Sequence, residues 1–331
     1  MSLYPISRLR LLVFALMIWP ICALSQERRE ISIGLPSKSM VTAGPRIASE
    51  MGLFEKHGLS ARFIYLDSAN GATSALIAKS VDFAQSGLAE AIAAQARGQK
   101  VMVVANSYAG LSGSLVISKP VADKLGVSPN APIAERLRAL DGLLIASTSA
   151  TSSFTFAYRG AANAAGANPR FTYMGLPAMG AALDSGAVQA IVATAPFYAF
   201  PVLKGTGVLW ISAPKGELPA LNRSASAANF QVMRDFADAN PDVMKRFAAV
   251  SADLTAAIEQ DSQAVKGALA KLYPELDAAT LDLLYALEGP ALKVRPLSVA
   301  DVLHEIAFVK SGGAQFPGID TVDPASILLR Q

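Results

Sequence analysis

The chain has 331 residues, 52% of them apolar and 17% charged, with a formal net charge of +3, a balance that suits an ordinary globular core in two domains or lobes. One cysteine and two distant histidines exclude a disulfide scaffold and a cysteine- or histidine-based metal cluster. Lysines and arginines scattered singly among apolar positions leave no basic stripe for DNA or RNA.

Arg8 and Arg10 precede a continuous apolar run from Leu11 to Ile21, and Ala23-Leu24-Ser25 puts small residues where a signal peptidase reads. The run is shorter than the roughly 20 residues that span a bilayer, and no later segment is long and apolar enough to do so. Residues 1–25 therefore read as an export leader, and the mature protein is expected to begin near Gln26 and to be soluble in the periplasm. Bulky Trp19-Pro20-Ile21 stands where a lipoprotein signal needs small residues, so Cys22 is expected to leave with the leader rather than carry a lipid. Without Arg8 and Arg10 the net charge becomes +1, 27 basic residues minus 26 acidic.

The mature chain then alternates strands and helices, which implies mostly parallel sheets. Ile31–Leu35 reads as a strand, Pro36-Ser37-Lys38-Ser39 as a loop, and Thr42 as the cap of a helix running to Met51. Arg62–Leu66 follows as a strand, Asp67–Gly71 as a loop with Asn70 as a possible cap, and Ala72–Lys79 as a helix. Val81–Ala84, the helix Leu88–Arg97, and the strands Val101–Ala105 and Ser114–Ser118 continue the pattern. Pro120, Pro129 and Pro132 interrupt it and lead into a second lobe. There the spacing predicts strands at Leu143–Ala146, Phe171–Met174 and Val188–Ala193, helices at Ser152–Ala165 and Pro177–Leu183, and a strand Val208–Ser212 returning to the first lobe. Five amphipathic helices close the chain at Phe230–Ala239, Pro241–Gln260, Gln263–Leu272, Ala278–Leu287 and Val299–Val309, and are expected to pack around the first lobe.

Within this order one unit recurs. Ser74–Ala84 (SALIAKSVDFA) and Ala181–Ile191 (AALDSGAVQAI) share a helix end with Ala-Leu, a short turn, then Val, a polar residue and an apolar strand. The copies run on into Gln85-Ser86-Gly87 and Thr194-Ala195-Pro196, loops of the kind that present backbone N–H groups to a ligand in α/β sheets. Two similar lobes facing one cleft are the expectation.

The layout from Ile31 to about Val250 resembles the periplasmic substrate-binding proteins of ABC importers, in particular the sulfonate, taurine, nitrate and pyrimidine-precursor group. Ile31-Ser32-Ile33-Gly34 followed by Ala48–Leu59 (ASEMGLFEKHGL) is similar to that group's opening strand and its "helix, Gly-Leu-Phe, Gly-Leu" segment. Ala75-Leu76 to Asp82 is similar to its "Ala-Leu, Gly, Asp" element, with Lys79-Ser80 replacing the usual Gly. Leu140-Asp141-Gly142 and Ala239-Asn240-Pro241 resemble the opening of its second lobe and a helix start in its C-terminal part. The resemblance implies an α/β two-lobed binding-protein fold of type II, with parallel-rich sheets, a ligand cleft between the lobes and a helical C-terminal segment. It implies lobe 1 from residues 26–115 and 215–331 and lobe 2 from 116–214, with hinges near Gly113–Lys119 and Ile211–Asn222. It further implies a monomer without cofactor that hands a small ligand to a permease and ATPase in the inner membrane.

Loops at the carboxyl ends of strands converge on such a cleft, so the ligand-binding candidates are positional first. In the first lobe they are Ser37, Ser39 and Thr42, then Ser68 and Asn70, then Gln85 and Ser86, with Tyr108 near the crossover. In the second lobe Ser147, Thr148, Ser149, Thr151, Ser152 and Ser153 place six hydroxyls ahead of a helix, a pattern that can cradle an anionic oxygen group or simply cap the helix. Phe154, Pro196 and Phe197 could supply a flat wall for a ring or alkyl chain. Arg46 is expected at the surface, which leaves no arginine in the cleft and favours a sulfonate, nitrate, other small organic anion or neutral heterocycle over a dianion. Fold relatives that are enzymes would need a reactive cysteine, which the mature chain lacks, and His57 and His304 have no partner at catalytic spacing, so no enzyme and no metal site are expected. An exported sensor for a membrane receptor is the remaining alternative.

Overall fold

The computed structural model describes residues 28–312 and 317–329, so the leader and Cys22 lie outside the described residues. Ten strands are present among them: β1 (Arg29–Leu35), β2 (Leu59–Tyr65), β3 (Phe83–Ser86), β4 (Val101–Ala109), β5 (Ser114–Ser118), β6 (Leu144–Ser147), β7 (Arg170–Tyr173), β8 (Ala190–Ala193), β9 (Gly207–Ile211) and β10 (Ser226–Met233). They form two five-stranded sheets on one plan, β2-β1-β3-β10-β4 and β7-β6-β8-β5-β9. In each, three parallel strands are followed by an antiparallel fourth, β10 in the first sheet and β5 in the second. The chain therefore crosses between the sheets twice, from β4 to β5 and from β9 to β10.

The recurring unit occupies the same place in both sheets. Helix Ala69–Ile77 leads into β3 and helix Leu176–Asp184 into β8, each strand central and wholly buried. Even the turn keeps register. Lys79 and Gly186 both adopt left-handed backbone, at φ 57° and 75°, although only glycine does so without steric conflict. Lys79→Gly should therefore stabilise the fold by about 1 kcal/mol in urea denaturation, net of the exposed Lys79–Asp235 ion pair that it removes.

Several expectations need correction. Val208–Ser212 does not return to the first sheet; as β9 it pairs with β5 in the second. The returning strand is β10, which covers part of the segment expected as helix Phe230–Ala239, and only Arg234–Ala239 is helical. Its central position buries both faces, so the period-two alternation of a half-buried strand is missing. Ser68, not Asn70, caps the helix Ala69–Ile77 by accepting from the Gly71 N–H at 3.0 Å. A short helix, Ala199–Leu203, follows the second repeat where none is expected.

Helices Pro241–Gln260 and Ser262–Leu272 pack on the first lobe as the sequence predicts. Phe247 stacks on Phe83 of β3 with centroids 4.2 Å apart, which fixes the longer helix to the sheet's central strand. Helix Val299–Ser311 differs, since it packs both on Leu88–Ala96 and on Ser153–Ala164, where Phe308 meets the edge of Phe156 at 6.4 Å. The C-terminal helices thus reach helices that belong to both sheets' layers. Among the described residues no helix is long and apolar enough to cross a membrane.

Candidate functional site

Loops from the carboxyl ends of both parallel trios meet at one small inner chamber of about 50 Å³. The first sheet contributes Pro36 and Ser37 after β1, Asp67 and Ser68 after β2, and Gln85-Ser86-Gly87 at and after the end of β3. The second contributes Thr148 after β6, Leu176 after β7 and Thr194 after β8. Val41, Thr42, Phe154, Ala227 and Ala228 complete the wall.

The two sides are held together by direct hydrogen bonds. Asn70 Nδ2 donates to Thr151 Oγ1 at 2.6 Å and to Ser149 Oγ at 3.1 Å, and the Met40 N–H donates to the Ala195 carbonyl at 2.7 Å. Tyr198, just beyond β8, donates to Glu288 Oε1 at 3.2 Å, while Tyr108 of β4 donates to the other oxygen of the same carboxyl group.

Inside the chamber the polar groups are incompletely satisfied. Gln85 Oε1 and Thr194 Oγ1, from opposite sheets, are fully buried without a hydrogen-bond partner. A buried polar atom left in that state costs roughly 1–3 kcal/mol, so a molecule supplying the missing partners is favoured there. Gln85 Nε2 donates to Ser107 Oγ at 2.8 Å, which leaves its carbonyl oxygen as the unpaired end of the amide. Asp67 is the charged residue of the lining, and no lysine or arginine joins it. Beneath the floor lies Glu90, so close to Gly87 that a Cβ added there would sit 2.4 Å from Glu90 Oε2. Burial pushes the Glu90 carboxyl up to about 7, against the opposing pull of the backbone N–H groups of Glu90 and Gly87.

The predicted residues divide accordingly. Ser37, Thr42, Ser68, Gln85, Ser86, Thr148 and Phe154 line the inner chamber. Pro196 and Phe197 line a larger outer cavity of about 700 Å³, which shares Pro36, Ser37 and Asp67 with the inner one. Asn70, Ser149 and Thr151 bond to one another across the lobes instead of lining either space. Ser39 is buried under its loop and accepts from Ser37 Oγ at 2.9 Å. Tyr108 is buried on Glu288, away from the chamber.

Of the hydroxyl run that looks like an anion cradle, Ser147 and Ser152 bond within one cluster and Ser149 and Thr151 accept from Asn70, whereas Ser153 Oγ is buried without a hydrogen-bond partner. Ser152 caps helix Ser153–Ala164 by accepting from the Thr155 N–H, and Thr155 Oγ1 donates to Ser147 Oγ at 2.8 Å and to the Ser149 carbonyl at 2.6 Å. Ser147 is wholly buried in this cluster. Arg46 also departs from expectation: it is buried, its guanidinium donating to Tyr273 Oη at 3.1 Å and to the Leu272 carbonyl at 3.2 Å. His57 bonds to Asp253 and His304 to the Arg223 carbonyl, and neither lines either cavity.

Sequence reasoning passed over Asp67, Leu176, Thr194 and the Ala227-Ala228 pair as ligand candidates. Asp67 and Thr194 stand in loops already read as facing the cleft, so position alone could have found them. Ala227 and Ala228 could not be found, because they belong to the strand read as loop and helix.

The family model described as the NMT1-like family matches residues 26–273. The chain belongs to the NMT1-like family. No curated protein matches it. Among solved structures, this NMT1-like chain is similar to the alkanesulfonate-binding protein SsuA from Xanthomonas axonopodis pv. citri bound to MOPS, with TM-score 0.72 and 20% identity over 92% of this chain and 99% of that one. It is similar to the periplasmic aliphatic sulphonate binding protein SsuA from Escherichia coli, with TM-score 0.62 and 19% identity over 85% of this chain and 91% of that one. It is also similar to the periplasmic nitrate-binding protein NrtA from Synechocystis PCC 6803, with TM-score 0.64 and 13% identity over 91% of this chain and 86% of that one. At these identities the likeness is one of fold, the two-lobed α/β architecture of periplasmic binding proteins.

Proposed function

We propose that this NMT1-like chain is an exported, monomeric solute-binding receptor of an ABC importer, which encloses a small molecule between its two lobes in the periplasm and delivers it to an inner-membrane permease driven by an ATPase. The observation that carries the reading is the pair of unpartnered buried atoms, Gln85 Oε1 and Thr194 Oγ1, brought to one chamber from opposite sheets. A ligand bonding to both links the lobes, and closing them over it is a hinge motion. Residues 26–115 with 215–331 form one lobe in this reading and 116–214 the other, with Ser37, Thr42, Gln85, Ser86, Thr148 and Phe154 against the ligand. The sulfonate- and nitrate-binding neighbours carry anions by name. Here Asp67 in the lining, with no lysine or arginine beside it, favours a neutral or donor-rich solute, the heterocycle side of the expectation, over a small organic anion.

A thermal-shift screen of the purified protein against sulfonates, nitrate, aromatic carboxylates, amides and heterocycles tests this. A solute at 100 times its dissociation constant should add about 2.7 kcal/mol of stability, and Gln85→Ala should reduce that shift. Silence from every class would sink the receptor reading; a shift from nitrate or simple sulfonates alone would overturn the assignment of solute type.

A further inference from the structure

We propose that the ligand spans two compartments: a head group rich in N–H donors occupies the inner chamber, and an attached aromatic ring lies in the outer cavity against Tyr65, Phe197 and Phe200. The inference rests on the receptor reading above and names the chemical class that the cleft would take.

Volume is the first argument. Ligand pockets commonly enclose about 300–1,000 Å³. The inner chamber, at about 50 Å³, has room for a head group of a few heavy atoms, whereas the outer cavity, at about 700 Å³, falls within the usual range. Pro36, Ser37 and Asp67 line both, so the two spaces adjoin.

The chemistry of the walls changes along that path. The inner end offers the acceptor Gln85 Oε1 and the hydroxyl of Thr194, with no cationic side chain beside them, a set that an N–H donor head can meet, while the exposed Asp67 lines both spaces. The outer end is aromatic and drawn from both lobes, its lining including Tyr65 at the end of β2 and the Phe197–Phe200 edge-to-face pair, whose centroids are 6.3 Å apart. Tyr65 is 43% exposed and Phe200 38%, so both present apolar surface to the cavity, with Lys38 Nζ 5.1 Å from the Tyr65 ring centroid. Tyr273 forms another part of the wall and is held rigid by Arg46, whose guanidinium lies 5.0 Å from the ring centroid. Lys38, Asp67 and Glu275 mix both signs around this cavity, so the ring needs no charge of its own.

Benzamide and acetamide provide the test, since they share a donor head and differ by the ring. Calorimetry on the purified protein should find benzamide bound at least about tenfold more tightly, with that advantage lost in Tyr65→Ala and Phe200→Ala, two exposed positions whose truncation leaves the core intact. Gln85→Ala should weaken both amides alike, and benzenesulfonate should bind more weakly than benzamide. Equal affinities for the two amides, or an advantage indifferent to both aromatic substitutions, would overturn the aryl subsite and leave the receptor reading standing. Tighter binding of benzenesulfonate would overturn the donor-head assignment. Binding of neither amide would overturn this proposal, and the wider thermal-shift panel decides separately whether the receptor reading falls with it.

Discussion

Glu305→Gln should stabilise the protein at pH 8 by on the order of 3 kcal/mol while leaving it nearly unchanged at pH 4.5. Glu305 is wholly buried on helix Val299–Ser311, and burial raises its carboxyl from 4.5 to about 8, with the charge of Glu90 adding to the rise. The Ala225 N–H and the Ser224 hydroxyl, both donating to it, pull the other way without prevailing. Below pH 4.5 folded and unfolded chains both hold this proton. Between 4.5 and 8 only the folded chain holds it, so stability falls as pH rises through that window and levels off above it. Glutamine carries no proton to lose and can keep both contacts, its carbonyl oxygen accepting from Ala225 and its amide donating to Ser224. Urea denaturation at the two pH values measures the difference. An equal effect at both would show that the carboxyl does not titrate in this range.

The same helix shows why parts of the fold were legible and others were not. Parallel strand-helix alternation is written in local period and punctuation, and the doubled unit at 74–84 and 181–191 located the two short turns in which Lys79 and Gly186 take up left-handed backbone. The return to the first sheet was not legible. Asn229 and Gln231 on β10 look like the solvated side of a helix, yet neither is exposed, because Asn229 Nδ2 donates to Ser226 Oγ at 3.1 Å and Gln231 Nε2 to the Gly87 carbonyl at 2.9 Å. The Gly87 partner lies 144 residues away along the chain, and a window of neighbouring residues does not contain such a tertiary contact. The site divides in the same way. Strand-end position located Ser37, Gln85 and Thr148, but could not tell that the hydroxyls of Ser147, Ser152 and Thr155 bond to one another or that Asn70 is spent on Ser149 and Thr151. It could not anticipate that Asp67 would be the charged residue of the lining.

Glu288→Ala should destabilise the protein by roughly 3 kcal/mol, more than Glu288→Gln and well above Tyr198→Phe. The carboxyl has no exposed surface and receives the hydroxyls of Tyr108 from the first sheet and Tyr198 from the second, so truncation strands two buried donors at once. Burial pushes both phenols upward, with the adjoining carboxyl adding to the effect, and they remain proton donors across the working range of pH. Glutamine retains one acceptor and should recover part of the loss. Tyr198→Phe removes the second-sheet contact alone, at about 1 kcal/mol, and leaves Tyr108 bonded. Because that contact joins the lobes, its loss should also accelerate ligand release in stopped-flow measurements, whereas Tyr108→Phe, confined to the first lobe and the C-terminal helix, should change stability with little effect on release. Equal release rates in the two tyrosine variants would show that Glu288 braces the core without coupling the lobes. Faster release in Tyr198→Phe alone would identify the buried carboxyl as the point where opening of the cleft is resisted.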